Sequence, residues 1–272
     1  MNKAKKISFI GAGNMSKAII SGLVEQGYSP DNIMASNPSA GKLISLKNDL
    51  AILTTHNNQE AIDFADVVML SVKPQLMQSV CHEIKLNNTD TLFVSIAAGL
   101  SVKRLADFLP NQAKIVRVMP NTPSAIGLGM SGIYAPTNIS AEQVALVGNI
   151  MQSVGKILVV ENEDDINTVI AAAGSSPAYF FLIAEVMQQA AVNMGIEKQA
   201  ARLLVEQAML GSATLMSRHS ELELSELRSQ VTSKGGTTAK AVESLQQDNI
   251  DKVFAKAMQA AVSRAKEMSE QF

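Results

Sequence analysis

Lys6-Ile7-Ser8-Phe9-Ile10-Gly11-Ala12-Gly13-Asn14-Met15-Ser16 begins as a short apolar run, turns on two glycines and enters a segment with helical spacing, Asn14 to Gln26. A strand that passes through such a turn straight into a helix is how a dinucleotide-binding βαβ unit starts. The first glycine permits the tight turn, the second lets a pyrophosphate approach the backbone, and the third position packs helix against strand. Ser16 stands where the third glycine is usual, and a residue that small can still pack there. Two glycines after a strand are a weak signal alone; the units that follow give them weight.

Outward from that loop, Ile33 to Ala35, Val67 to Val72, Thr91 to Ile96, Ile115 to Met119 and Ile157 to Val160 read as further strands. Between them lie helical segments such as Gln75 to Ile84 and Ala141 to Ser153. This alternation is the pattern of βαβ units feeding a parallel, doubly wound sheet of the Rossmann type. After about residue 162 the strand pattern stops, and helices follow with breaks at Gly174 to Pro177, near Gly195 and at Ser233 to Gly236. The expectation is a dinucleotide-binding domain over 1-162 and an all-α domain over 163-272.

Composition agrees with two globular domains. The 272 residues are 47% hydrophobic and 18% charged, too apolar for a disordered chain. With 23 basic against 25 acidic residues and no Lys/Arg block, nucleic acid is not expected as a partner. The apolar run behind the basic Met1 to Lys6 is too short for a signal peptide. Cys81, the single cysteine, reads as a small buried apolar residue, and a reducing cytoplasm is expected. No metal site is expected. Ile166 to Met187 reaches membrane-spanning length, but Gly174-Ser175-Ser176-Pro177 and Glu185 interrupt it, so it reads as buried protein.

Two helices of the second domain, Ala178 to Met194 and Gln199 to Ser217, carry apolar side chains around most of their circumference. A domain of this size has little core in which to hide them, so an obligate homodimer is expected, open to assembly into a larger oligomer. The bland alternative is closure of these faces on the chain's own first domain.

Where a cofactor would reach, the end of the second strand offers Ser36-Asn37-Pro38-Ser39 rather than the Asp or Glu that holds an NAD ribose. Hydroxyl and amide groups with Lys42 one turn on favour the 2'-phosphate of NADPH, with NADH left open. Each of these residues is equally readable as a cap or turn. Ser71-Val72-Lys73-Pro74 and Ile96-Ala97-Ala98-Gly99 end two strands and are placed to line the cofactor cleft. On spacing alone Lys73 reads as a solvated loop residue rather than a catalytic cation. Further on, Val231-Thr232-Ser233-Lys234-Gly235-Gly236-Thr237-Thr238 precedes a helical run beginning near Ala239. Glycines before a helix free backbone N–H groups to face an anion such as a carboxylate, although a plain helix-helix turn would look the same.

Taken together, the glycine loop, Ser71 to Pro74, Val94 to Gly99, Met119-Pro120-Asn121-Thr122-Pro123, Gly174 to Tyr179 and Leu227-Arg228 through Thr238 resemble the pyrroline-5-carboxylate reductase family, in that family's order and across nearly the whole chain. The resemblance implies NAD(P)H-dependent reduction of 1-pyrroline-5-carboxylate to L-proline, the last step of proline biosynthesis. It places the cofactor on Ile10, Gly11, Ala12, Gly13, Asn14, Met15, Ser36, Asn37, Asn57, Ser71, Val72, Lys73, Pro74, Ile96, Ala97 and Ala98. It places the substrate on Ser175, Ser176, Val231, Gly235, Gly236 and Thr237, with Thr238 as the residue for chemistry. Lys234 departs from the family, which commonly has proline there, and reads first as a solvated side chain. Enzymes of similar architecture that act on hydroxy acids would want a lysine early in the helical domain, and none occurs between Asp164 and Gly195.

Overall fold

A computed structural model describes residues 4–271; Met1 to Lys3 of the basic N-terminus, and Phe272, lie outside the described residues. The described residues form two compact units, one of residues 4–175 with 260–271 and one of residues 176–259.

The first unit is built on an eight-stranded sheet. In chain order its elements are β1 (Ile7–Ile10), α1 (Asn14–Glu25), β2 (Ile33–Ser36), α2 (Ala40–Leu50), β3 (Leu53–Thr55), α3 (Asn58–Phe64) and β4 (Val67–Leu70). There follow α4 (Pro74–His82), β5 (Leu92–Ser95), α5 (Val102–Phe108), β6 (Lys114–Met119), β7 (Gly129–Tyr134), α6 (Ala141–Gln152), β8 (Gly155–Val160) and α7 (Asp165–Val169). The strand order is β3-β2-β1-β4-β5-β6-β7-β8. The first six strands run parallel, whereas β7 is antiparallel to β6 and β8 is parallel to β7. The short return through Pro120 to Leu128 leaves no room for a crossover, so β7 must come back antiparallel.

β1, β2, β4 and β5 are buried on both faces, which is why they read as continuous apolar runs. Alternate residues separate two cores. Ile7, Phe9, Val67 and Met69 pack with Ile19, Leu23, Leu43, Val147 and Ile150 on one face. Ile10, Val68, Leu70 and Phe93 pack with Ile62, Met77, Cys81, Leu105 and Phe108 on the other. Burial pushes the Cys81 thiol up to about 12, so it sits in the core as a neutral apolar group. Arg117 on β6, 3% exposed, pairs with Glu163 at 3.0 Å, and the same carboxylate oxygen accepts the Val102 N–H at 2.8 Å. That pair pins the start of α5 to the segment after β8.

Two strands depart from the expected pattern. β3 is three residues with one exposed, and β7 carries two glycines, so neither shows the apolar run that marks the others. The break expected at Gly174 to Pro177 is a π-turn (Ile170–Gly174), in which the Ser175 N–H reaches back five residues to the Ile170 carbonyl at 2.8 Å. Helix therefore runs from Asp165 to Asn193 and is long and apolar enough to cross a membrane. Burial within this chain is confined to its first part, which corrects the reading of Ile166 to Met187 as buried throughout: Ile166 and Ile170 are buried, while Phe181 is 72% exposed.

The second unit is helical: α8 (Ser176–Asn193), α9 (Lys198–Arg218), α10 (Leu224–Gln230), α11 (Thr237–Gln247) and the start of α12 (Ile250–Gln271). From Ala260 onward α12 belongs to the first unit, where Ala265 packs with Ile166 and Ile170. α8 and α9 pack against each other, yet Phe180, Leu182, Leu203, Leu204 and Leu210 remain exposed.

Gly155 is fixed by its surroundings. Its φ of 151° and the carbonyl of Gly129, its partner across β7 and β8, leave no space for a Cβ. Gly155→Ala is expected to destabilise the protein by about 3 kcal/mol, read as a lower urea midpoint with unchanged slope. An unchanged midpoint would show that the two strands part without cost.

Candidate cofactor and substrate sites

The strand order reverses between β1 and β4, and the crevice at such a switch point is where α/β sheets bind ligands. The two strand exits meet there closely. Gly11 has φ 105°, and a Cβ on it would lie 2.8 Å from the Ser71 carbonyl oxygen. Its N–H donates to Ser36 O at 2.8 Å, and the Ser71 N–H donates to Ile10 O at 2.9 Å. Gly13 caps α1 without any side-chain bond, and a Cβ there would meet nothing within 4 Å. Open space over the start of a 12-residue helix is what a pyrophosphate needs. Ala12, Asn14 and Met15 lie on the same turn, so the residues present fit a dinucleotide.

Ser16 does more than fill the third glycine's place. It is fully buried, and its hydroxyl donates to the Gly11 carbonyl at 2.6 Å, fastening the turn from behind.

The end of β2 is also tied down. Ser36 is buried and donates to Asn58 Oδ1 at 2.7 Å. Asn37 Oδ1 accepts the Ala12 N–H at 3.2 Å, its Nδ2 donates to Ser39 O at 3.2 Å, and its carbonyl lies 2.9 Å from His56 Nδ1. Ser36 and Asn37 thus hold the loop in place, while Ser39 and Lys42 face outward. Asn57 caps α3, its Oδ1 accepting from the Gln59 and Glu60 N–H groups, and borders a cavity of about 560 Å³ shared with His56, Val80 and Glu83.

Of the remaining positions expected to contact a cofactor, Val72 stands against Gly11, Lys73 is exposed at the cap of α4, and Pro74 opens that helix. In the next loop Ile96 hangs on Leu70 O through its N–H at 3.2 Å, and Ala97 on Ser95 Oγ at 3.3 Å; Ala98 follows. The loops carrying Gly11, Ser36, Ser71 and Ile96 therefore stand side by side at the ends of adjacent strands.

In the second unit, α11 starts at Thr237, two residues before the expected Ala239. Gly236 is its N-cap and offers no side chain, and Gly235 takes φ 76° to enter it. Thr237 and Thr238 occupy the first two helical positions, both exposed, so that first-turn N–H groups and hydroxyls share one end of the helix. Val231, 63% exposed, ends α10, and Lys234 is exposed between them. Ser175 closes the π-turn and Ser176 opens α8. None of the three histidines lies in these loops: His56 meets Asn37, His82 stacks edge-on against Phe108, and His219 meets Glu221. Among the described residues no three His, Cys, Asp or Glu side chains gather as a metal site.

Asn121 and Asn58 carry structural bonds at these sites, and sequence reasoning gave neither a role. Neither the Ser36–Asn58 nor the Asn121–Ala173 bond is announced by a local pattern, because the partners lie far apart along the chain.

A glycine turn at the switch point of a doubly wound sheet, coupled to a helical unit with an anion-ready helix start, defines an NAD(P)-dependent oxidoreductase. Residues 6–99 match the family model for NADP oxidoreductases, coenzyme F420-dependent, and residues 163–268 match that for pyrroline-5-carboxylate reductase dimerisation. The pyrroline-5-carboxylate reductase of Vibrio alginolyticus is 52% identical over 98% of this chain and 99% of its own length, and that of Pseudomonas aeruginosa is 40% identical over 98% and 97%. The solved reductase from Coxiella burnetii superposes with a TM-score of 0.93 at 40% identity, covering 98% of this chain and 99% of that one. The Plasmodium falciparum reductase, solved with NADP bound, gives 0.84 at 28% identity over 97% and 98%. The chain belongs to the pyrroline-5-carboxylate reductase family.

Because Ser16 fastens the turn expected to face a pyrophosphate, Ser16→Ala should weaken NADPH binding about fivefold, equivalent to about 1 kcal/mol, in a fluorescence titration. An unchanged Kd would mean that the turn holds its shape without that bond.

Proposed function

We infer that this chain reduces 1-pyrroline-5-carboxylate to L-proline with NAD(P)H, the last step of proline biosynthesis, and prefers NADPH. The observation that carries the substrate assignment is the start of α11, where Gly235 and Gly236 leave the first-turn N–H groups without a side-chain cap and place two threonine hydroxyls beside them. A cyclic imine bearing a carboxylate requires an anion site and a hydrogen-bond partner for its ring nitrogen.

When bound, the reduced nicotinamide supplies the hydride that the C=N carbon receives. The chain's own residues do the rest. Gly11 to Met15 hold the cofactor's pyrophosphate at the start of α1, and the loops at Ser71 to Pro74 and Ile96 to Ala98 line its crevice. Gly235, Gly236 and Thr237, with Val231, Ser175 and Ser176, bind and orient the substrate. Thr238 is the catalytic residue: its hydroxyl orients the ring nitrogen, whose basicity rises as the imine becomes an amine, and relays a proton to it. With Ser36 and Asn37 committed to the loop, Ser39 and Lys42 are the groups left to meet a 2'-phosphate, and no carboxylate stands there to repel it.

The division of labour is a dinucleotide-binding domain over 1-162 and a substrate and dimerisation domain over 163-272, working in the cytoplasm without nucleic acid. The exposed apolar faces of α8 and α9 support a homodimer, open to a larger assembly, with a second copy rather than lipid covering the Asp165–Asn193 helix. Glu185 within that helix supports the same choice.

Oxidation of NADPH with pyrroline-5-carboxylate, followed at 340 nm, is expected for the wild type, while Thr238→Ala should lower kcat by 10²-fold or more. No oxidation by the wild type would remove the assignment; undiminished turnover in the variant would remove Thr238 from its role alone. Light scattering on the eluting protein should give at least two 29.0 kDa chains, and a stable monomer would overturn the dimer.

A further inference from the structure

Asn121 follows β6 in the return towards β7 and is 9% exposed. Its side-chain amide spans two segments. Oδ1 accepts the Met130 N–H at 2.8 Å, and Nδ2 donates to the carbonyl of Ala173 at 3.0 Å. The second bond lands inside the π-turn, four residues before Pro177, which has no N–H to donate. The turn also lies directly against the end of β6, since a Cβ on Gly174 would come within 3.2 Å of Met119 Cε. π-turns have poorer geometry than the α-helix that contains them, and they persist where their surroundings hold them and the site uses the altered direction.

We propose that Asn121 is a positioning residue for the substrate: through the carbonyl of Ala173 it holds the π-turn in register and thereby fixes how Ser175 and Ser176 are presented. This rests on the assignment of those two serines to the substrate. Only a side chain that accepts and donates at once can bridge Met130 and Ala173; aspartate of the same length retains the acceptor and loses the donor, and alanine loses both. Both side-chain bonds of Asn121 go to backbone, so its effect is read in substrate affinity and not in the chemical step.

The full-length enzyme is assayed with pyrroline-5-carboxylate and NADPH as Asn121→Asp, and again as Pro177→Ala. The second variant supplies an N–H that competes for the Ala173 carbonyl and draws the π-turn towards an α-helix, without placing a charge in the protein. Each is expected to raise the substrate KM tenfold or more, with the NADPH KM and kcat within twofold of wild type. Ser175→Ala and Ser176→Ala are measured beside them. If neither serine variant moves the substrate KM, the serine assignment fails and the proposal fails with it. If the serines move it while both Asn121→Asp and Pro177→Ala leave it within twofold, or raise both KM values together with a fall in Tm, the positioning role is overturned and the serine assignment stands.

Discussion

The fold turns on one close approach, that of the Gly11 backbone to the carbonyl of Ser71 at the exits of β1 and β4. Two central strands can diverge around a ligand only if the chain leaving one passes directly beside the chain leaving the other, and a side chain at Gly11 would forbid it. A φ of 105° carries the chain across the gap, and the bonds from Gly11 N to Ser36 O and from Ser71 N to Ile10 O extend the sheet's ladder one residue beyond the strands. The turn is then backed by Ser16 and fronted by the Asn37 side chain. Most of what surrounds the crevice is therefore held by protein bonds before any cofactor arrives, and a preorganised site loses less affinity to ordering.

The same feature governs what could be read in the sequence. Strands buried on both faces are mostly apolar, so β1, β2, β4, β5 and β6 stand out as runs, and a glycine pair between such a run and a helix marks a turn too tight for a side chain. What escaped were elements whose residues answer to a neighbour rather than to a periodicity. β7 is rich in glycine because Gly132 lies against Val169 and Gly129 against Ser124 and Val154, contacts that no local pattern announces. Ser36 and Asn37 stood out as a polar end to β2, but the bond from Ser36 to Asn58 depends on the chain returning through β3, which local pattern did not disclose. The π-turn looked like a break because glycine and proline in sequence mark an interruption; the Ser175 N–H carries the helix across it, and Asn121, about fifty residues earlier, braces it from outside.

The helical unit answers to a different balance. Among its residues only Pro177, Ala201 and Val205 are buried in the single chain, while Phe180, Phe181, Leu203, Leu204 and Leu210 are exposed. Each large apolar side chain withheld from water is worth about 1.5–3 kcal/mol, whereas ordering the backbone costs about 1–2 kcal/mol per residue. A unit with so small an interior cannot offset that cost from within. Its shape is specified by helix caps, as where the Glu197 carboxylate accepts from the Gln199 and Ala200 N–H groups, but its stability has to come from surface it does not itself cover.

The two halves thus reach their working geometry by opposite routes. In the cofactor half, side-chain to backbone bonds within one sheet define the loops, and changes to them act locally. In the helical half, the start of α11 is built from glycines and threonines with no buried neighbour to fix it, so its placement follows from the helices that carry it and from whatever covers their apolar faces. The sheet half is thus fixed by bonds it makes itself, and the helical half by surface that must be covered.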